Sequence, residues 1–416
     1  MKSKFFLFVL LQVLIAPHAV AHDFEVDGIY YRVLSVAERT AEVVCKGEMD
    51  PNNPPKNYSH DVVIPATVDY NAVTYKVVQV GESAFYHCDE LEHVTFPNGL
   101  QEICASAFQD CEKLEDVTFP TSLTKIHDRA FAGCLQLKNV VIPANVTFMG
   151  DYAFEHCDGV ENVRLDDCVN PLQMGYWGFA FGFPNARTVY LGRNSGGWAK
   201  TWDYVDYWCS NGKLEKVEFG PLVTETPWHF LNGECPNLKT LTIGSNIKTI
   251  AVGSFAGCLS VKSIEIPASV ETIEAEAFNG GFWEKEMALE EIIIGTKVSA
   301  IGDNVFKNCK NLKRICVKNK VPATMPENAF ESMTYMNATL FVPTGTKGTY
   351  SQVAYWSNFQ NMEEGEIVLG VTAPMQGKNV SIVDNYQLNG LRRNDVKHGL
   401  NIVRMSDGTA KKMVVK

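Results

Sequence analysis

"ASAFQDCEKLEDVTFP", residues Ala105–Pro120, decides the fold because the chain writes it again on either side. Phe108 and Cys111 have counterparts 23 residues upstream at Phe85 and Cys88, and 23 downstream at Phe131 and Cys134. A fourth pair follows at Phe154 and Cys157. Leu91, Leu114, Leu137 and Val160 lie three residues after each cysteine, and Val94, Val117, Val140 and Val163 lie six after. Phe96, Phe119, Ile142 and Leu165 lie eight after, and Pro97, Pro120 and Pro143 close the first three units. The pattern returns as "ECPNLKTLTIG" (Glu234–Gly244), "GCLSVKSIEIP" (Gly257–Pro267) and "NCKNLKRICVK" (Asn308–Lys318), and "MALEEIIIG" (Met287–Gly295) is a variant without its cysteine.

The "L-x-x-V-x-F" part alternates apolar and polar residues and is β-branched or aromatic, so it reads as a short strand. The "I-x-x-x-A-F-x-x-C" part has helical or tight-turn spacing. A unit of this size cannot bury its own apolar face, so the units must stack on one another. The expected fold is a repeat solenoid whose strands form a continuous parallel sheet.

These motifs resemble the BspA-like class of bacterial leucine-rich repeats, with its "I-x-x-x-A-F-x-x-C-x-x-L-x-x-I-x-[IL]-P" unit. The resemblance covers residues 76–361 in nine or ten units, with an irregular segment at 166–212. It implies a right-handed coil with the sheet along one face, and surface adhesion or binding to a host extracellular or surface protein. It implies no catalysis.

The flanks have a different texture. Residues 1–21 carry Lys2 and Lys4, an apolar run from Phe5 to Ile15 and the small residues Ala19-Val20-Ala21, the layout of a secretory signal peptide. Export to the cell surface, the periplasm or the medium is therefore expected. Residues 22–75 read as a β-rich N-terminal cap, which a solenoid needs to hide its first open edge. Residues 362–416 read as a small C-terminal β-domain with Asn-Gly and Asp-Gly turns. Its end resembles the C-terminal sorting modules of secreted Bacteroidetes proteins, with "GLNIV" in place of their aromatic "GxYxV". No other stretch has the length of a transmembrane helix. A net charge of −11 gives no electrostatic basis for binding nucleic acid.

Twelve cysteines in an exported chain invite a disulfide framework. Seven of them (Cys88, Cys111, Cys134, Cys157, Cys235, Cys258 and Cys309) share one repeat column. Equivalent residues on stacked coils sit ~4.8 Å apart with parallel side chains. A disulfide needs Cβ atoms about 3.5–4.5 Å apart and convergent bonds. The column is expected to hold free, buried thiols. A bridge among Cys45, Cys104, Cys168, Cys209 and Cys316 stays open. His87 and His156 precede ladder cysteines but lie three coils apart, too far to share an ion. The motifs of serine hydrolases, zincins and P-loop enzymes are absent, so no catalytic residue, metal ligand or cofactor is expected.

Function then falls to two places. One is the outward strand face, whose pairs run His93/Thr95, Asp116/Thr118, Asn139/Val141, Asn162/Arg164, Lys216/Glu218, Thr240/Thr242, Ser263/Glu265, Glu291/Ile293 and Arg314/Cys316. Small, polar and mixed in sign, they suit a protein partner, with plain solvated sheet as the alternative. The other is the Trp-rich stretch 195–210, where Trp198, Trp202, Tyr204, Tyr207 and Trp208 lie beside Asp203 and Asp206. These rings could stack on a glycan or anchor a protein; alternatively they fill the volume of an irregular coil. Asn139, Asn162, Arg164, Lys216 and Thr240 are the candidate residues on the strand face.

Overall fold

The computed structural model describes residues 22–47, 58–175, 183–197, 212–231, 233, 235–280 and 285–365, together with the backbone of four strands between Ile382 and Val415. The chain divides into two compact units, Met1–Ile367 and Val368–Lys416. The first is a solenoid with two parallel ladders.

The strand predicted from "L-x-x-V-x-F" forms the first ladder. Leu91–Thr95 pairs in parallel with His60–Val63 and Asp116–Val117. Asn139–Ile142, Asn162–Leu165, Thr188–Leu191 and Lys216–Phe219 form a second run, and Ser263–Glu265, Glu291–Ile294, Arg314–Val317, Thr339–Val342 and Asn361–Glu364 a third. The second ladder uses shorter strands, such as Glu102–Ile103, Lys125–Ile126 and Phe148–Met149, each 23 residues from its neighbour. Residues alternate in and out along strands such as Asn139–Ile142, where Val140 and Ile142 are buried while Asn139 and Val141 face water.

The "A-F-x-x-C" segment is a stacked turn. It carries two residues with left-handed backbone in each regular coil: Ser83 and His87, Ser106 and Asp110, Arg129 and Gly133, Tyr152 and His156. This geometry lets alternate N–H groups turn inward and outward. Ala84, Tyr86 and Cys88 donate within the coil, to Gly81, Ser83 and Phe85, while Ser83, Phe85 and His87 donate to Ala105, Ala107 and Gln109 of the next coil. The turn wall is therefore a hydrogen-bonded ladder in its own right. Before Cys88, Cys111, Cys134, Cys157 and Cys309 the residue varies in identity but not in kind, because His, Asp, Asn and Gly tolerate positive φ better than most.

Inside, Phe85, Phe108, Phe131 and Phe154 stack with ring centroids 4.7, 5.1 and 5.3 Å apart. The ladder cysteines are unbridged and buried beside them. At least four of them also bond to the preceding coil, Cys309 among them, whose thiol donates to the Phe278 carbonyl at 3.2 Å. The Cys111 thiol donates to the Phe85 carbonyl (3.0 Å), Cys134 to Phe108 (3.2 Å) and Cys157 to Phe131 (3.2 Å). Cysteine is thus a small apolar filler that also satisfies the second lone pair of a buried carbonyl. Burial pushes the thiols of Cys111, Cys134 and Cys258 well above the usual range, which keeps them protonated and inert. Of the off-column cysteines, Cys45, Cys104, Cys168 and Cys316 are free, and Cys209 lies outside the described residues.

Both ends of this core are closed. Phe24–Val26, Ile29–Ser35 and Thr40–Val44 form an antiparallel meander that joins Val73–Val80 in parallel. Tyr58 ends the aromatic stack 4.4 Å from Phe85, donates to the Val44 carbonyl and accepts from the Tyr30 N–H. At the other end Tyr335, Trp356 and Phe359 pack edge-on against Phe330, and the Trp356 indole donates to the Ala323 carbonyl at 2.7 Å. The second unit contains an antiparallel sheet in which Ile382–Tyr386 pairs with Arg392–Arg393 and Gly399–Met405, and the latter with Ala410–Val415.

Candidate interaction surface

Four strands place four of the five strand-face candidates in two outward rows. Asn139, Asn162, Thr188 and Lys216 are in register in one row, and Val141, Arg164, Tyr190 and Glu218 in the other. Along the first row the Asn162 amide donates to the Asn139 carbonyl oxygen at 3.0 Å, and the Thr188 hydroxyl donates to the Asn162 oxygen at 2.6 Å. Lys216 turns along its own strand to Glu218, 2.8 Å away. This row is a pre-ordered set of amides and hydroxyls on a rigid sheet.

The second row holds the distinctive feature. The Arg164 guanidinium lies 4.1 Å from the centre of the Tyr190 ring, a stacking distance. Its Nε donates to Asp166 at 2.7 Å, which holds the guanidinium firmly charged. The Tyr190 hydroxyl donates to Asp167 at 2.8 Å, and partial burial together with that carboxylate raises the phenol pKa. Two glycines make room for Asp167: a Cβ on Gly192 would fall 2.6 Å from its carboxylate, and one on Gly220 would press on the same oxygen. Glycine at these strand ends replaces the proline of the first coils, and the replacement marks where the surface changes.

Beneath this row lies Arg193, which is 2% exposed. It donates to the carbonyls of Ile142, Pro143, Ala144 and Val146, two strands away, with the Pro143 and Val146 contacts at 2.5 and 2.6 Å. Desolvation lowers its pKa, and Cys168 and Asp166 offset part of that effect. It ties the end of the Asn139–Ile142 strand to the coil that carries Tyr190.

The structure brings Asn139, Asn162, Arg164 and Lys216 together. Thr240 is exposed but belongs to no paired strand. Trp198, Trp202, Tyr204, Tyr207 and Trp208 lie outside the described residues. Reading outward positions by alternation misplaced Ile293 and Cys316, which are both 0% exposed. Long charged side chains lie over that part of the sheet: Lys318 reaches Glu265 at 2.6 Å, Arg314 meets Glu291 at 2.8 Å, and the Arg314 guanidinium stacks 4.2 Å from the Phe341 ring. Thr188 and Tyr190 were missed from sequence because their unit lacks the cysteine that set the register, and Asp167 because it lies just past the end of the Asn162–Leu165 strand. Among the described residues no group of three or more His, Cys, Asp or Glu side chains is arranged to hold a metal.

With the repeat geometry established, the sequence matches the BspA type leucine rich repeat region, in six copies over residues 69–177 and 229–351. The chain belongs to the BspA-type leucine-rich-repeat family. Tyr190 and Lys216 fall in the gap between the two matched stretches of this BspA-type protein. Among solved structures it is similar to a leucine-rich repeat protein from Bacteroides ovatus (18% identity, 83% of this chain and 100% of that one, TM-score 0.38). It is also similar to a leucine-rich cell surface protein from Faecalibacterium prausnitzii (18%, 83% and 95%, 0.35) and to the pneumococcal vaccine antigen PcpA (17%, 84% and 100%, 0.43). No curated protein matches the chain.

Proposed function

We propose that this chain is an exported, non-enzymatic recognition protein that binds a protein partner on the outward strand face centred on Arg164 and Tyr190. The stacked and hydrogen-bonded Arg164–Tyr190–Asp167 set carries this reading. Arginine and tyrosine are the residues on which binding energy concentrates at protein interfaces, and here both are ordered before a partner arrives. Membership of the BspA-type leucine-rich-repeat family supports it. The leader-like residues 1–21 support export, and the proposed sorting-related module is confined to the second unit, Val368–Lys416, because Asn361–Glu364 is a solenoid strand.

A panel of purified extracellular matrix and cell-surface proteins, probed with the full mature chain, tests this reading. Tyr190→Ala and Arg164→Ala should each weaken the binding found by roughly 30-fold, the scale of an interfacial hot spot. Thr118→Ala, further along the face, should change it little. Binding that survives both substitutions would place the partner elsewhere. A glycan array run in parallel, with Trp198→Ala and Trp202→Ala controls, decides whether the 195–210 stretch binds carbohydrate instead.

A further inference from the structure

The first ladder is held together at the start of each strand by one recurring bond. Glu115 donates to Glu92, Lys138 to Glu115, Glu161 to Lys138, Arg187 to Glu161 and Glu215 to Arg187, at 2.8–3.0 Å. The series resumes with Glu290 to Lys262, Lys313 to Glu290 and Thr339 to Lys313. Among the described residues two members are missing, and they are consecutive: Lys239 makes no such bond with Glu215, nor Lys262 with Lys239. The strand-end bond fails at the same coil. Gly192 donates to Leu165 and Gly220 to Leu191, but Gly244 has no counterpart bond to Phe219. Residues 239–243 accordingly belong to no strand, and the sheet stops at Lys216–Phe219 and restarts at Ser263–Glu265.

The other two walls of the same coil stay joined. On the second ladder Lys248 donates to Thr224 and Glu271 to Lys248, both at 2.7 Å. On the turn wall Leu231 donates to Ser254, Cys235 to Gly257 and Phe255 to Ala277. The core is also continuous, since Leu241 and Ile243 remain buried. A Cβ on Gly244 would lie 2.9 Å from the Phe219 Cβ, so the two coils are in apolar contact there. Lys239, Thr240 and Thr242 are exposed, which leaves their backbone groups to water.

We infer that residues 239–243 form a joint, at which the strand face opens and closes about a hinge made by the second ladder and the turn wall. In a stack where each repeat contacts only its neighbours, removing bonds along one wall uncouples the two blocks on that wall alone. The strand face is thus uncoupled at this coil, between a part that ends at Lys216–Phe219 and a part that begins at Ser263–Glu265; the other break in strand pairing, between Asp116–Val117 and Asn139–Ile142, keeps its Lys138-to-Glu115 bond. This holds whatever the face binds.

Amide hydrogen exchange of the full mature chain, read by mass spectrometry, tests it. Residues 239–243 should exchange ~100-fold faster or more than Asn162–Leu165 and Arg314–Val317, while Thr249–Ile250 and Phe255 on the hinge side stay protected. Equal protection at 239–243 overturns the joint. Fast exchange at Thr249–Ile250 and Phe255 as well overturns the hinge, since the whole coil would then be fraying.

Discussion

The coil that carries Cys111 and the coil that carries Cys235 are written with the same motif and differ in how they are held. The first is bonded to its neighbours on all its walls, its phenylalanine is stacked on both sides, and its thiol satisfies a carbonyl of the previous coil. The second keeps its buried cysteine and leucines but has lost the bonds of the strand wall. Apolar spacing is therefore enough to place a coil in the stack, whereas the rigidity of its face comes from backbone pairing. The two are separable properties of a repeat.

That contrast can be attacked by substitution, with the largest effect expected in the regular coils. Phe131→Ala removes a ring stacked between two others and should cost about 3–5 kcal/mol in urea or thermal unfolding, against about 2 for Leu241→Ala at the joint. Similar losses at the two positions would erase the distinction. Arg193→Met leaves four buried carbonyls without their donor and should cost about 2–3 kcal/mol, while Arg193→Lys, a point donor, recovers only part of it. Cys111→Ala should cost about 1 kcal/mol and Cys111→Val about 1–3 through overpacking; a valine that stabilises would show that the thiol bond contributes nothing. Thiol titration of the native chain should leave the column cysteines unreacted until denaturant is added.

The smallest effect is electrostatic. Burial raises the Glu102 carboxyl, but hydrogen bonds from Lys125 and His127 outweigh it and hold the group below the usual carboxylate range. A carboxyl depressed in the folded state contributes stability above its unfolded pKa and loses it as pH falls through the folded value. Wild type should therefore lose more stability than Glu102→Gln below about pH 4, by less than ~1 kcal/mol because the group is part-exposed. Parallel acid curves for the two proteins would remove this contribution.

The stack, its core residues and the free thiols were legible because each rests on a repeated column, and a column averages out local accidents. Sequence spacing left helix and turn open for "A-F-x-x-C"; the two left-handed residues per coil decide for the turn, and nothing in Ser83 or Arg129 announces that conformation. Tyr190 was hidden because its unit has no cysteine to count from, though the change from Pro143 to Gly192 and Gly220 marks the place. Ile293 and Cys316 misled because alternation predicts which way a side chain points and says nothing about what Lys318 and Arg314 lay across it.

The thiol bond from Cys111 to Phe85 also bears on how such a chain changes length. In the regular coils each repeat unit satisfies the one before it and offers the same carbonyl and ring to the one after. Any 23-residue unit between Cys88 and Cys157 is consequently a self-addressed insert: duplicating or excising it hands each neighbour an identical surface. Selection can lengthen or shorten the N-terminal block one coil at a time without redesigning a single contact, and the unit after Cys157, where the spacing from Asn162 to Thr188 grows to 26 residues, marks where that freedom ends.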